Sequence, residues 1–279
     1  MIKQYVFSRT TRMLLLNIVL AIIALTMVLP FTWMILASLK TLGEIGGDDW
    51  LPKIFQWKNY HDVFTIDGIL FGHWYWNSIF VASWVTFLQV FTSSLAAFSF
   101  SRLKWKGRDA VFLMYLGTMM LPGLVMMIPN YQNMIKLDLV DSYPGLILPA
   151  AFSAFGTFLM RQFMMNIPAS LDEAAEIDGA SKWQLYWDVI LPLSRPAIVT
   201  LTIFTFMGNY NTMFWPLVLM KSPHKFTLPI GMLAFDSSQG QQTNLLMAAV
   251  AMSVIPMILV FIFMQKRLVK GIMLGGVKG

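Results

Sequence analysis

The sequence has no cysteine and few charged residues. Without cysteine the chain can form neither disulfide bonds nor thiolate metal sites. Only 12% of its 279 residues are charged and 57% are hydrophobic, whereas an average soluble domain carries about 25% charged residues. A water-soluble fold of this length could not cover its surface with so few charges. We therefore expect much of the surface to face lipid.

Six long apolar runs account for this composition. Each has the length of about 20 residues that a helix needs to cross the hydrocarbon core of a bilayer. The runs lie at about 13–37, 76–100, 110–129, 145–164, 196–220 and 243–264. The first run is much longer than the apolar region of a signal peptide, which has about 7–15 residues. The sequence predicts an all-α, polytopic membrane protein in which residues 1–279 form a single transmembrane domain of six helices.

The basic residues orient these helices. If the N-terminus is cytoplasmic, most Lys and Arg residues fall in inside segments, and the short 101–109 loop is the clearest case. The positive-inside rule then puts both termini in the cytoplasm. The net charge of +6 is thereby a signal of topology and does not indicate nucleic-acid binding.

The predicted spans lack ionisable groups. Their hydrocarbon cores hold no Asp, Glu, Lys or His, and Arg161 lies close to an inner end. Such a residue costs at least about 2.5–3.5 kcal/mol, so one that is kept usually relays protons or binds ions. The absence argues against proton-driven transport. No phosphate-binding Gly-x-x-x-x-Gly-Lys-Ser/Thr loop occurs either. We expect a transporter subunit that is no enzyme and binds no metal or cofactor, with energy supplied by another polypeptide.

Neutral polar residues are the exception within the spans. The second run has three on one helix face, at i, i+3 and i+7: Thr86, Gln89 and Ser93. The fifth run has four near its midplane: Asn209, Tyr210, Asn211 and Thr212. Pro216 follows and is expected to kink this helix. Scattered hydroxyls usually form interhelical hydrogen bonds, but two amides at mid-depth need water, substrate or a partner. We predict that these seven residues line a path for an uncharged, hydroxyl-rich solute.

The predicted cytoplasmic segment 165–195 contains two helix starts. Ser170 with Glu173, and Ser181 with Gln184, have the spacing of capping boxes. Gly179 between them is placed to end the first helix in a left-handed conformation. The segment is therefore predicted to form two short helices that project as a rigid knob.

The second of these helices is expected to end at Pro192. Before it, Trp183, Trp187 and Ile190 have the i, i+4, i+7 spacing of one helix face. Exposed aromatic residues beside a basic membrane face often pack beneath a helix bundle. Packing of the segment under the bundle therefore stays open as the alternative to a projecting knob.

The same segment carries a family resemblance. Glu173-Ala174-Ala175, then Gly179 and the later Ile190-Leu191-Pro192, match the EAA loop of ABC-importer permease subunits. Residues 209–217 and the C-terminal 267–279 resemble carbohydrate permeases of the maltose and glycerol-phosphate type. Among the two permeases of such systems, the chain looks like the shorter, six-span subunit. One departure is Tyr210-Asn211, where relatives commonly have Trp-Asn.

The resemblance implies a type I importer permease fold and a multi-pass location in the bacterial inner membrane. The implied partners are a second permease, two ATPase subunits that hold ATP and Mg²⁺, and an extracytoplasmic solute-binding protein. That protein would meet the external loops at 38–75, 130–144 and 221–242. The residues that the resemblance assigns to coupling with the ATPase are Glu173, Ala174, Ala175, Asp178, Gly179, Ala180, Trp183, Leu191 and Pro192.

Three alternatives remain at this point. An ABC permease for a phosphate ester, polyamine or peptide is the first, although an anionic solute should meet cationic groups that the spans lack. An autonomous facilitator or secondary transporter is the second, although it would not need a cytoplasmic coupling loop. A structural role outside transport is the third.

Overall fold

A computed structural model describes residues 9–237 and 242–276, with side chains for 12–235 and 242–265. The C-terminal motif residues 267–279 and part of the 221–242 loop lie outside the described side chains. All regular secondary structure in the described part is helical. The principal helices are α1 (Arg9–Ser38), α2 (Lys58–Thr65), α3 (Phe71–Arg102), α4 (Arg108–Gly117), α5 (Gly123–Lys136), α6 (Tyr143–Ala150), α7 (Ala154–Met165), α8 (Ser170–Ile177), α9 (Lys182–Leu193), α10 (Arg195–Tyr210), α11 (Phe214–Leu219), α12 (Leu228–Gly231), α13 (Ala234–Ser237), α14 (Thr243–Ser253) and α15 (Ile255–Gly276).

Three of these helical stretches are long and apolar enough to cross a membrane unbroken, within α1, along α3 and over Thr243–Gln265. Three further pairs of helices have the required length only together. The pair α4 and α5 bends by 100°, α6 and α7 by 42°, and α9 and α10 by 74°. If each bent pair is one span, the described part holds up to six spans.

The breaks differ from the predicted continuous runs. The third run, predicted over 110–129, is interrupted at Leu121 and Pro122, both in extended conformation, because a residue before proline is disfavoured in the helical region. The fifth run was expected to kink at Pro216. Its helix instead ends at Tyr210, and Pro216 lies in the separate helix α11. The expected kink at Pro216 was therefore wrong.

The chain divides into two compact units. One consists of the described residues within 1–69 and 234–252, and the other of those within 70–233 and 253–279. In the first, the buried Asn59 amide donates to the carbonyls of Ser38 and Lys40, at 2.8 and 2.9 Å. These hydrogen bonds hold the backbone after α1 against α2.

The core of the second unit lies between α3, α7 and α10. Gly156 lets α7 approach α3 closely, since a Cβ atom at that position would lie 2.6 Å from Ser93 Oγ. Met160, Met164 and Leu201 fill the space between the three helices and are fully buried. This cluster is the platform on which the 165–195 segment rests.

Candidate functional site

The first half of the 165–195 segment is helix α8, and Gly179 ends it. Gly179 has φ +81°, its N–H donates to Glu176 O at 3.1 Å, and Ala180 N–H donates to Ala175 O at 2.9 Å. This pair of hydrogen bonds is the Schellman motif, which requires a left-handed residue just after the helix, here Gly179. The structure thus has the predicted conformation at Gly179.

The predicted capping box of Ser170 and Glu173 is absent. Ala169, in helical conformation, precedes the first residue of α8, and no side chain caps the helix. The turn already begins at Pro168, whose carbonyl accepts from Leu171 N–H. Proline has its backbone preset for a first helical turn, so Ser170 falls inside the helix and was wrongly predicted as its cap.

The second half of the segment is helix α9, whose predicted capping box is present. Gln184 N–H donates to Ser181 Oγ at 3.2 Å, and Ser181 N–H donates to Gln184 Oε1 at 2.8 Å. The helix runs to Leu193, one residue beyond the expected end at Pro192.

A π-helical turn over Leu185–Ile190 changes which residues of α9 lie on the same face of the helix. Because such a turn holds more residues than an α-turn, Ile190 is rotated away from the two tryptophans. Trp183 and Trp187 are exposed, whereas Ile190 is fully buried. The prediction that all three share one face was therefore wrong for Ile190.

The two halves of the segment differ in how they pack. In α9, Leu185, Tyr186 and Ile190 join the core cluster of α3, α7 and α10, and the Tyr186 hydroxyl lies 2.8 Å from Ser94 Oγ. Helix α8 buries only Ala175, while Ile177 is 86% exposed. The sequence left two interpretations open, packing under the bundle and projection from it. The first describes α9 and the second describes α8.

The residues assigned to coupling by resemblance follow this division. The exposed members are Glu173, Ala174, Asp178, Gly179 and Trp183, and the buried or half-buried members are Ala175, Ala180, Leu191 and Pro192. A surface ion pair with Lys182 holds the pKa of the neighbouring Glu176 below its usual value. An exposed pair of this kind adds little stability.

A cavity of about 490 Å³ lies in the same unit, between α3, α5, α6 and the break after α10. All its polar lining side chains are neutral: Ser78, Asn130, Asn209, Thr212, Trp215 and Thr227. The Asn209 amide donates to Thr205 O at 2.8 Å. The buried Thr227 hydroxyl has no hydrogen-bond partner among the described residues. The lining combines amides, hydroxyls and aromatic rings, which suits a neutral polar ligand.

The predicted path residues are only partly brought together. Asn209 and Thr212 line the cavity, but Tyr210 is buried and donates to Ser253 O at 3.0 Å. Asn211 is exposed and donates to Met207 O at 2.9 Å.

The three residues predicted on one face of α3 lie outside this cavity. Thr86 donates to Ala82 O at 2.6 Å, within its own helix, and Ser93 packs against Gly156. Gln89 is half-buried. The helix spacing correctly placed the three on α3 but carried no information about the neighbouring helices.

Besides Trp215, three polar residues of the cavity lining were not anticipated from the sequence. Ser78 lies near the start of α3, Asn130 on α5, and Thr227 in the segment before α12. They are separated by about 50 residues or more, so no periodicity connects them. An isolated Asn at the end of a predicted span, as at position 130, was the one available signal.

An acidic residue organises the predicted external side. Asp141 accepts hydrogen bonds from Lys221 N–H, Ser222 N–H and Ser222 Oγ, at 2.9, 3.0 and 2.6 Å, and pairs with Lys225 Nζ at 3.2 Å. Burial alone would raise the pKa of Asp141. The hydrogen bonds from Ser222, Lys221 and Lys225 outweigh it and hold this pKa well below the usual range.

Residues 89–273 match the family model described as binding-protein-dependent transport system inner membrane component. The match covers more than half of the chain, and the chain belongs to this family. It is therefore a membrane-embedded permease subunit of an ABC importer, as the EAA-type residues predicted, and no enzyme.

Two relatives and one solved structure illustrate the similarity. The chain is 33% identical over 269 residues to the arabinooligosaccharides transport system permease protein AraQ of Halalkalibacterium halodurans, covering 95% of this chain and 96% of the relative. It is 36% identical over 228 residues to the sn-glycerol-3-phosphate permease UgpE of Yersinia enterocolitica, covering 80% and 81%. A chain of a bacterial ABC transporter involved in import of the acidic polysaccharide alginate superposes with a TM-score of 0.81 at 27% identity, covering 93% and 98%. The all-α fold is confirmed as that of a type I importer permease.

Proposed function

We propose that the chain moves a sugar or oligosaccharide inward by alternating access, driven by ATP hydrolysis in a separate subunit that is coupled through the 165–195 segment. The observation that supports this proposal most directly is that the two helices of the segment pack differently. Helix α9 belongs to the core of α3, α7 and α10, while α8 presents exposed apolar residues. A rigid element with one end in the helix core and the other open to a partner can pass on a displacement.

The exposed residues between Glu173 and Gly179 would meet the ATPase. Ile177 and Leu171 add exposed apolar surface on α8, and burial of apolar surface favours association. Ala175, Ala180, Leu191 and Pro192 would keep the segment attached to the bundle. Trp183 lies at the exposed edge between the two groups.

A sugar is the favoured solute because of the cavity. Its lining is neutral, and its volume of about 490 Å³ is in the range of small-molecule sites. AraQ and the alginate transporter are named for saccharide substrates, which supports the same class. UgpE is named for a phosphate ester, but the lining of this cavity includes no cation among the described residues. A phosphate ester would have to find its counter-charge on another subunit.

The complete transporter would contain a second permease, two ATPase subunits that bind ATP and Mg²⁺, and an extracytoplasmic binding protein, with this chain spanning the bacterial inner membrane as one domain. The family's description as a binding-protein-dependent system supports the last partner. The loops at 38–75, 130–144 and 221–242 would receive it.

The test is reconstitution in proteoliposomes with the partner permease, the ATPase and the binding protein. We expect ATP-dependent accumulation of labelled arabinotriose or another neutral oligosaccharide, and none of glycerol 3-phosphate or spermidine. Vesicles that contain only this chain are the control. Uphill uptake by this chain alone, or selective uptake of glycerol 3-phosphate or spermidine, would contradict the proposal.

A further inference from the structure

Arg102, the last residue of α3, connects three helix ends. One guanidinium nitrogen, Nη1, donates to Asp172 Oδ2 of α8 at 3.0 Å. The other, Nη2, donates to the carbonyls of Met164 and Ile167 at the end of α7, at 2.7 and 2.8 Å. The side chain of Arg102 is 7% exposed and that of Asp172 17%. The inner ends of α3, α7 and α8 therefore meet at one buried cation.

The chemistry of this contact suits arginine. The last carbonyls of a helix have no partner within the helix and favour a nearby cation, and a carboxylate is favoured in a first turn such as that of α8. The planar guanidinium can reach all three acceptors at once, whereas the ammonium of lysine cannot reproduce that fork. Removing either charge would leave the other largely buried without its partner, which weakens the attachment of α8.

Helix α8 has little else to hold it. Ala175 is its one buried residue, and most of its surface is open. Among the described residues, Arg102–Asp172 is the one side-chain ion pair between α8 and the transmembrane helices. A force applied to α8 therefore has a direct polar route to α3 and α7 at Arg102.

Each side chain of the ion pair also has one buried polar atom that forms no hydrogen bond within the described part of the chain. Arg102 Nε and Asp172 Oδ1 are both buried and have no hydrogen-bond partner among the described residues, which is rare for buried polar atoms. Two parallel hydrogen bonds from Nε and Nη2, an arrangement frequent for arginine and carboxylate, would satisfy both atoms once Nη2 leaves the carbonyls of Met164 and Ile167. The pair thus has a second geometry available when α8 changes its angle.

We propose that Arg102 is a positioning residue for energy coupling. It fixes α8 to the inner ends of α3 and α7, so that displacement of α8 by the ATPase moves these two helices and alters access to the cavity. The proposal rests on the proposed function and adds to it the residue through which the movement leaves the loop.

The absence of cysteine provides a test that needs no known substrate. A single reporter, Met127→Cys in the cavity lining, is labelled with an impermeant maleimide in the full transporter, before and after trapping with ATP and vanadate. In the otherwise unchanged chain, trapping should change the labelling rate. In Arg102→Met the complex should assemble and retain its ATPase, but the response should be lost. The exchange variant Arg102→Asp with Asp172→Arg should recover part of it.

Arg108→Met is the matched control, because Arg108 is the first residue of α4 and pairs with Asp109, whose side chain is 68% exposed. It should leave the response intact. A normal response in assembled Arg102→Met would overturn the proposal. If that variant does not assemble, Asp172→Asn decides: an assembled complex without the response supports the proposal, while a normal response or failed assembly assigns the pair a purely structural role. A reporter that never responds, even with Arg102 and Asp172 intact, would instead contradict the proposed function and this proposal with it.

Discussion

The indole ring of Trp74 lies directly against the backbone of Gly231. A Cβ atom at Gly231 would be 2.1 Å from Trp74 Cδ2. Trp74 is 1% exposed, and its Nε1 donates to Pro223 O at 2.8 Å. Because the ring is buried and fixed by this hydrogen bond, it has no room to move aside for a side chain. Glycine at position 231 therefore lets the 223–231 segment pack on α3.

Gly231→Ala should destabilise the protein by about 1–3 kcal/mol, the usual cost of overpacking a filled site. The measurement is the thermal unfolding midpoint of the purified protein in detergent. Gly208→Ala is the matched control, since a Cβ atom there would meet nothing within 4 Å. Equal losses in the two variants would show that the contact with Trp74 is not the cause.

Gly179 can be tested by separating backbone conformation from volume. At φ +81° a residue with a Cβ is strained by about 1 kcal/mol or more, although a Cβ atom there would meet no neighbour within this chain. Gly179→Val should leave the permease in the membrane but weaken ATPase retention on washed membranes and ATP-driven uptake.

Gly179→Asn is the companion variant, because asparagine tolerates the left-handed conformation. Recovery in Gly179→Asn would assign the defect to the backbone, whereas an equal defect would assign it to volume at the ATPase interface. Normal retention and uptake in Gly179→Val would contradict the coupling role of the loop.

Asn209 provides the test of the cavity. Asn209→Leu replaces an amide in the lining by an apolar side chain, so uptake of a neutral oligosaccharide should fall while assembly and basal ATP hydrolysis stay near normal. Asn211→Leu, in the same break but outside the lining, should have a smaller effect. Transport assays on complexes with equal subunit content would measure both. A larger loss of uptake from Asn211→Leu would show that the solute path runs along Asn211 and not through this cavity.

Asp141 should make stability depend on pH. Its folded-state pKa is well below the unfolded value of about 3.9, so its contribution is fully present above that value and is lost as the pH falls below it. Asp141→Asn should therefore lower the unfolding midpoint at neutral pH, and its difference from the unsubstituted protein should shrink in acid. Asp138→Asn is the control, since Asp138 is exposed and also has positive φ. An identical pH profile for Asp141→Asn and the unsubstituted protein would refute this assignment.

The predicted topology can be read with single cysteines. A cysteine at Asp49, which is exposed in the 38–75 loop, should react with an impermeant thiol reagent from outside the inner membrane. One at Lys106, exposed in the 101–109 loop, should react only after that membrane is opened. The reverse pattern would invert the topology and place the 165–195 segment on the wrong side for an ATPase.

Local signals in the sequence were sufficient for much of this protein. Hydrophobic length predicted the membrane-spanning regions, because a helix in lipid must satisfy its backbone internally over a fixed thickness. The requirement for positive φ between two helices identified Gly179, and the EAA-type residues indicated the family. These features depend on residues that are neighbours along the chain.

The tertiary structure decided what depends on distant neighbours. Asn209 lines the cavity and Thr86 does not, because the end of α10 and the helices that lie beside α3 decide which side chains meet there. The π-turn in α9 places Ile190 in the core together with Tyr186, and both side chains are fully buried. From the sequence alone, Arg102 is one of several basic residues predicted to lie on the cytoplasmic side. Only the meeting of three helix ends makes it a buried ion pair, because burial and hydrogen bonding are set by packing between elements and not by local order.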